Sequence, residues 1–315
     1  LWNVGFGQAG KNKIINGDFS QNQRNFTTAN TDASFGFDRW ALRLSGATGT
    51  YTAETFTLGA APVAGYEGKN FAKLVVTTGN DLCRLEQRIE DVRTFAGQTV
   101  TLSFWAKGTN PATAGNLAAD LTQFFGTAGS PSAEVTLPQQ TFVLTANWTR
   151  YILTFSVPSI SGKTLGTDNI SSLRVRIGQG TSVSANGWTL DLWGVQLEYG
   201  SKVTPFQTAT GTIQGELAAC QRYYQYLGGT ASNFIVAGYT AGGNNYRQFI
   251  SFPVQMRIAP TMAVNGTWAV FNTGQPTAAF ISNAGFAFTM TATATGQLFS
   301  NPDSSDDTIT ASAEL

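Results

Sequence analysis

Aromatic rings set among charged and amide groups, rather than nucleophiles, carry the chemistry available to this sequence. In Cys83–Lys107 (CRLEQRIEDVRTFAGQTVTLSFWAK) a polar row of Thr101, Ser103, Trp105 and Lys107 alternates with Val100, Leu102, Phe104 and Ala106, and Trp105 is its odd member. The stretch before it alternates Arg84, Glu86 and Arg88 with Cys83, Leu85 and Ile89, and the two stretches read as a strand pair joined by a Gly-containing turn. A ring face stacks on sugar C–H groups while Arg and Glu bond hydroxyls, so Trp105 with Arg84, Glu86 and Arg88 forms a candidate glycan face. The competing reading is an outward Trp covered by a loop or a neighbouring subunit. Arg176, outward with Arg174 in SSLRVRIGQG, joins the candidates, as do Asn244 and Tyr246 in TAGGNNY, expected to be an exposed hairpin tip.

Other chemistries are narrowed by what is missing. The sequence holds no histidine, which removes Ser-His-Asp and Cys-His nucleophile systems and the commonest transition-metal ligand. Catalysis would rest on carboxylates, roughly 5 to 9 Å apart across a sugar, and neither Glu86 with Glu90 nor Asp38 with Asp191 is marked as more than surface charge. Asp303, Asp306 and Asp307 read as a solvated acidic loop. Two cysteines, Cys83 and Cys220, make no disulfide framework and read as buried thiols suited to a reducing cytoplasm, with a single bridge between the two halves as the alternative.

The elements that would hold these groups are strands. Of the 315 residues only 12% are charged, 19 basic against 19 acidic, with no charge run, so neither nucleic acid nor membrane insertion is expected. No apolar run approaches a membrane span, the first ten residues lack a secretory signal, and the initial Leu suggests a piece of a longer chain. Alternating segments from Lys11 to Gly200, separated by turn residues, predict an antiparallel jelly-roll sandwich over 11–205 after a connecting segment 1–10. A linker and short helix follow over 206–232: in Gly215–Gly228, Leu217, Cys220, Tyr224 and Leu227 recur at helical spacing. Residues 233–315 return to strands and predict a smaller C-terminal β-sandwich tip, with Asn265–Gly266 as a hairpin turn. The fold class is therefore all-β, with one helix. Tyr223, Tyr224 and Tyr226 span more of that helix than one domain face needs and are candidate subunit contacts.

Several fragments in combination resemble a known family. IINGDFSQNQR (Ile14–Arg24) with FDRW (Phe37–Trp40) resembles the opening of carbohydrate-binding-module jelly rolls of the family 4/9 type. TLDLWGVQLEYGSKVTPF (Thr189–Phe206) is similar to the closing strand of that fold in bacteriophage tail-fibre and receptor-binding proteins. ELAACQRYYQ (Glu216–Gln225) resembles the helix that follows it there, and FPVQMRIAPT (Phe252–Thr261) a strand of the terminal domain. The resemblance covers most of residues 12–262. It implies a virion fibre or appendage subunit, usually homotrimeric, assembled in the host cytoplasm beside other virion proteins and binding host-surface polysaccharide or lipopolysaccharide without catalysis. A purely structural virion subunit is the alternative, and a polysaccharide depolymerase the less favoured one. It also implies one structural calcium near the N-terminal turn, with Asp191 of the last strand as a ligand lying among inward groups.

Overall fold

The computed structural model describes residues 11–112, 116–180, 186–228 and 236–315; the expected connecting segment 1–10 lies outside them. The chain divides into two compact units, Leu1–Leu217 with Leu315, and Ala218–Glu314. Among the described residues no helix is long and apolar enough to cross a membrane.

The first unit is a jelly-roll sandwich of β1 (Thr28–Ala29), β2 (Ala41–Thr55), β3 (Asn70–Glu90), β4 (Thr99–Thr109), β5 (Leu117–Phe124), β6 (Val135–Thr136), β7 (Gln140–Phe142), β8 (Thr149–Ser156), β9 (Ser172–Gln179) and β10 (Trp188–Tyr199). The period-2 pattern supplies the core: Val100, Leu102, Phe104 and Ala106 of β4, Leu173, Val175 and Ile177 of β9, and Leu190 and Leu192 of β10 are fully buried. Two layers arise because the long antiparallel pair of β2 and β3 curls from one to the other. The first half of β3 pairs with β10, which continues to β4 and β8. Its second half pairs with β9, which continues to β5. Register shifts at Ser45/Ala47 and Thr48/Gly49 mark the bend.

This topology corrects the expected strand pair within Cys83–Lys107. β4 and the second half of β3 are sequential but belong to different layers, since β4 bonds to β10 and β8 while Arg84–Glu90 bonds to β2 and β9. Alternation identifies strands without identifying their partners, and the segment between them is a crossover. A bulge in β10 between Trp193 and Gln196 also moves Leu197 to the inner side, opposite Leu102. Gly194 permits it: its φ is +64°, and a Cβ there would lie 2.8 Å from the Trp105 ring.

The helix is shorter than its periodicity suggests. α1 runs Ile213–Gln221, with the Thr212 hydroxyl accepting a bond from Gly215 N at its start. Tyr224–Gly228 then forms β11, paired with β19 (Thr308–Ser312), because the alternating YQYLG finds a sheet partner that outweighs continued helix. The three tyrosines therefore do not ring a helix. Tyr223 is buried in the turn, while Tyr224 and Tyr226 are half-buried on one face of β11. The boundary between the two units falls within the expected linker and helix, between Leu217 and Ala218.

The remaining strands of the second unit are β12 (Val236–Thr240), β13 (Asn245–Ser251), β14 (Thr261–Asn265), β15 (Ala269–Phe271), β16 (Thr277–Ala279), β17 (Gly285–Thr291) and β18 (Gly296–Asn301). They make three three-stranded sheets, β11-β19-β14, β12-β18-β15 and β13-β17-β16, around Met256, Trp268, Phe286, Phe288, Met290, Leu298 and Ile309. Asn265–Gly266 is thus not a hairpin turn, because the strands it joins lie in different sheets, and the same holds for Thr240–Asn245. An Asn-Gly pair sets a local turn and leaves the strand partner open. The acidic loop is not fully solvated either: Asp307 is buried and one of its oxygens accepts the amides of Asp303 and Ser304.

The N-terminal turn fixes how the first unit closes, since a Cβ on Gly17 would lie 2.1 Å from the Val195 carbonyl oxygen of β10. Gly17→Ala is expected to cost about 1–3 kcal/mol by overpacking, measured as a lower denaturant midpoint for the first unit; an unchanged midpoint refutes this closure.

Candidate functional site

The first layer's outer face is an aromatic stack, and Trp105 is its base. Trp193 of β10 lies directly opposite Trp105 of β4, which in turn faces Arg150 of β8. Phe206 covers both indoles at 6.0 and 5.0 Å between centroids, and the Arg150 guanidinium sits 4.4 Å over the Trp105 ring. Trp105 is consequently only 9% exposed. It is covered by a segment of its own chain, and it does not lie beside Arg84, Glu86 and Arg88, which belong to the other layer.

The closing motif explains that cover. Glu198, fully buried, accepts the Thr204 amide at 2.9 Å and its hydroxyl at 2.7 Å, and Gln196 donates to Glu198 and receives Gln207 N. Thr101 bonds the Gly200 carbonyl, and Arg150 the Thr204 carbonyl. These bonds hook residues 200–207 back across β4, so that Phe206 lands on the indoles.

Arg84, Glu86, Arg88 and Arg176 do come together, on the outer face of the second layer, where they are committed to one another. Asp120 of β5 bonds Arg84 at 3.1 Å through one oxygen and the Nε of Arg176 at 2.6 Å through the other, and Arg176 also reaches the Thr122 hydroxyl. Burial and the neighbouring Arg176 charge push Arg84 down to about 10. At Glu86 burial acts to raise the carboxyl, and the charges of Arg88, Arg174 and Arg43 with the Arg88 hydrogen bond outweigh it, leaving it below the usual range. The pocket beside Glu86 and Arg88 holds only about 50 Å³, too little for a sugar.

Asp191, expected among inward groups and as a calcium ligand, is not inward. It lies on the outer face, opposite Lys73 on one side and Lys107 on the other, with Lys107 Nζ at 3.7 Å. Two flanking cations are the wrong surroundings for a dication, and no cluster of three or more acidic, Cys or His groups placed to hold a metal occurs among the described residues. Tyr246 is half-buried against Gly238 rather than at a tip, and a Cβ on that glycine would stand 2.2 Å from its ring. Asn244 is exposed, with its carbonyl accepting Ala292 N. Cys83 and Cys220 are both buried thiols, and burial pushes Cys83 up to about 12.

The site that the sequence alone did not reveal is a groove of about 630 Å³ in the first unit. Three segments build it: the N-terminal turn with Asp18, Ser20 and Gln21, the loop before β3 with Tyr66, Glu67 and Lys69, and the entry to α1 with Thr208, Thr212 and Glu216. The aromatic stack supports its wall, since Tyr66 packs edge-on to Trp193 and Phe206, each 5.4 Å away, and donates its hydroxyl to Asp18 at 2.7 Å. Burial and the Asp18 charge hold the Tyr66 proton in place, raising the phenol well above its ordinary range. Glu216 is 1% exposed; one oxygen accepts Asn16 N at 2.8 Å and the other Thr210 N at 2.7 Å. Its burial, with the Asp18 charge, raises its carboxyl despite these bonds. Asp18 lies within the NGDF motif, but nothing local predicts that Tyr66, in a Gly/Pro/Ala-rich loop 48 residues on, would meet it.

Trp105→Ala is expected to destabilise the first unit by about 3–5 kcal/mol, the usual cost of emptying an aromatic site. Asp120→Ala is expected to cost a similar 3–5 kcal/mol, roughly, because two buried guanidinium groups lose their counter-charge. Urea midpoints check both, and a midpoint within error of the parent would refute the burial described.

No protein-family model matches the sequence, and no curated protein matches it. Among solved structures, the chain is similar to the enzymatically active domain of tailspike protein 4 from bacteriophage CBA120 (15% identity, TM-score 0.34, covering 60% of this chain and 22% of that one). It is also similar to a CBM4 structure (16% identity, TM-score 0.33, 59% and 100% covered). A third is a putative sugar binding protein from Bacteroides thetaiotaomicron (15% identity, TM-score 0.37, 60% and 100% covered). The chain thus spans about a fifth of the tailspike chain it matches.

Proposed function

We propose that this chain is a glycan-binding subunit of a bacteriophage fibre or appendage, taking host-surface polysaccharide or lipopolysaccharide in the Tyr66 groove without catalysis. The observation that carries the reading is the groove's lining: an aromatic wall beside hydroxyls, an amide and carboxylates, the set that stacks on a pyranose and bonds its hydroxyls. Binding is favoured over cleavage because Asp18 and Glu216 are used as acceptors for Tyr66, Ser20, Asn16 and Thr210. The virion setting, the homotrimer and the companion virion proteins rest on the resemblance of residues 14–24, 37–40, 189–206 and 216–225.

A depolymerase is the second reading, because Asp18 and Glu216 line one groove. Release of reducing ends from host polysaccharide would establish it and end the non-catalytic one.

The groove also sets a sign. Asp18, Glu67 and Glu216 face it against Lys69 alone, so acidic sugars meet net repulsion. In titration calorimetry at low salt, neutral oligosaccharides are expected to bind about tenfold or more tightly than uronate chains of equal length, a difference of about 1.4 kcal/mol. Glu67→Ala, at an exposed position, narrows that gap. Equal affinity for both chain types, or a gap untouched by Glu67→Ala, overturns the groove as the binding site.

A further inference from the structure

The second unit presents an aromatic cleft that belongs to neither the groove nor a core. In the sheet β12-β18-β15, cross-strand pairing puts Tyr239 opposite Gln297, and Ala237, Phe299 and Phe271 in one row, all on the same face. The opposite face holds Val236 and Leu298, both 1% exposed. On the outer side Tyr239 is 70%, Phe271 50% and Phe299 39% exposed. Burying a ring of this size is worth ~1.5–3 kcal/mol, so three rings left outward on one short sheet mark a binding surface. Phe271 stacks behind Phe299 with centroids 5.5 Å apart and planes within 12°, which holds the Phe299 ring upright. Between Tyr239 and Phe299 opens a cleft of about 510 Å³ over Ala237, Gly238 and Leu298.

Two properties identify the occupant. The face carries ring surfaces, a phenol and the carboxamide of Gln297, with no charged group among its strand residues. It is also small. Strands of three to six residues spaced as in any sheet give a face of at most about 17 Å by 10 Å, roughly 170 Å², against about 800 Å² per partner in a stable protein interface. A second copy of the chain is therefore too large an occupant for this face, and a sugar ring of a neutral glycan fits it.

We infer that the second unit holds its own carbohydrate subsite, in which a pyranose of a neutral glycan enters between Tyr239 and Phe299 over Ala237, its hydroxyls bonding the Gln297 amide and the Tyr239 phenol. One chain would then grip a polysaccharide at two places, raising avidity beyond either contact.

The test uses the full chain, a panel of neutral oligosaccharides (cellohexaose, maltohexaose and N-acetylglucosamine hexamer) and saturation-transfer NMR with titration calorimetry. Tyr239→Ala and Phe299→Ala are each expected to weaken binding at one of two sites at least tenfold while leaving the unfolding midpoint unchanged. Ala237→Phe, which fills the cleft floor, is expected to abolish that site, and Glu67→Ala to leave it intact. A single binding site in the parent, with all three cleft variants binding as the parent does, overturns this subsite and preserves the groove; a single site that the cleft variants lose preserves the subsite. No transfer to any panel member from the parent overturns it, as does a parent oligomer that Phe299→Ala dissolves in sedimentation without any change in sugar binding.

Discussion

The first unit closes on one main-chain contact, between the turn at Asn16–Gly17 and Val195 of β10. Val195 N donates to the Gly17 carbonyl at 2.8 Å, and the Asn12 side chain bridges the Val195 and Gln207 carbonyls. Only a residue without Cβ lets the backbones approach this closely. Asn16 beside it adopts a φ of +56°, a conformation tolerated by Asn, which turns its amide to bond Gln21 and Asp38 together. Its carbonyl takes the Trp40 indole N–H and its amide gives to Glu216. The chain start, the strand after Trp40, the last strand and the first turn of α1 meet at this turn. Asp18 is delivered to the groove by the same geometry.

The second constraint works from the other side of the sheet. The Glu198–Thr204 hook brings Phe206 onto Trp105 and Trp193, these hold Tyr66, and Tyr66 reaches Asp18. A buried carboxylate accepting three or more bonds is costly to remove and well suited to fix a bend. The groove wall therefore inherits its rigidity from packing rather than from its own loops. The motifs that gave the sequence its family resemblance, NGDF, FDRW and QLEYGSKVTPF, turn out to be the pieces of this closure. Resemblance carried by them speaks to how the sandwich shuts and is silent about the ligand.

That division decides what was legible in the sequence. Faces were legible, because period-2 alternation needs no knowledge of partners: the inward sets of β4, β9 and β10 up to Gly194 follow directly from it. Partners were not. Adjacency in sequence puts Trp105 beside Arg84, whereas the pairing of β4 with β10 depends on contacts some ninety residues apart. Tyr223–Tyr226 fitted helical spacing and strand alternation equally, and the match of β11 to β19 decided it. The neighbours Leu190 and Leu192 point to an inward Asp191, although alternation itself sends it outward to Lys73 and Lys107. The groove was illegible for a different reason: its three segments are joined by no pattern, only by the fold.

The sparse charge of the chain also acquires a physical meaning. Many of its charges are spent in enclosed pairs, such as Arg84 and Arg176 with Asp120, Arg24 with Asp38 and Lys11 with Glu198, whose carboxylates are at most 3% exposed. Pairs of this kind contribute little net stability, yet they leave the burial of either partner alone prohibitive, so they fix which segments lie together. What remains outward is mostly hydroxyl, amide and ring. A surface of that kind exerts no long-range field, so an approaching partner is not steered and recognition is settled at contact distance. Ring faces and short hydrogen bonds are the interactions that work there, and the Tyr66 groove and the Tyr239–Phe299 cleft each combine them.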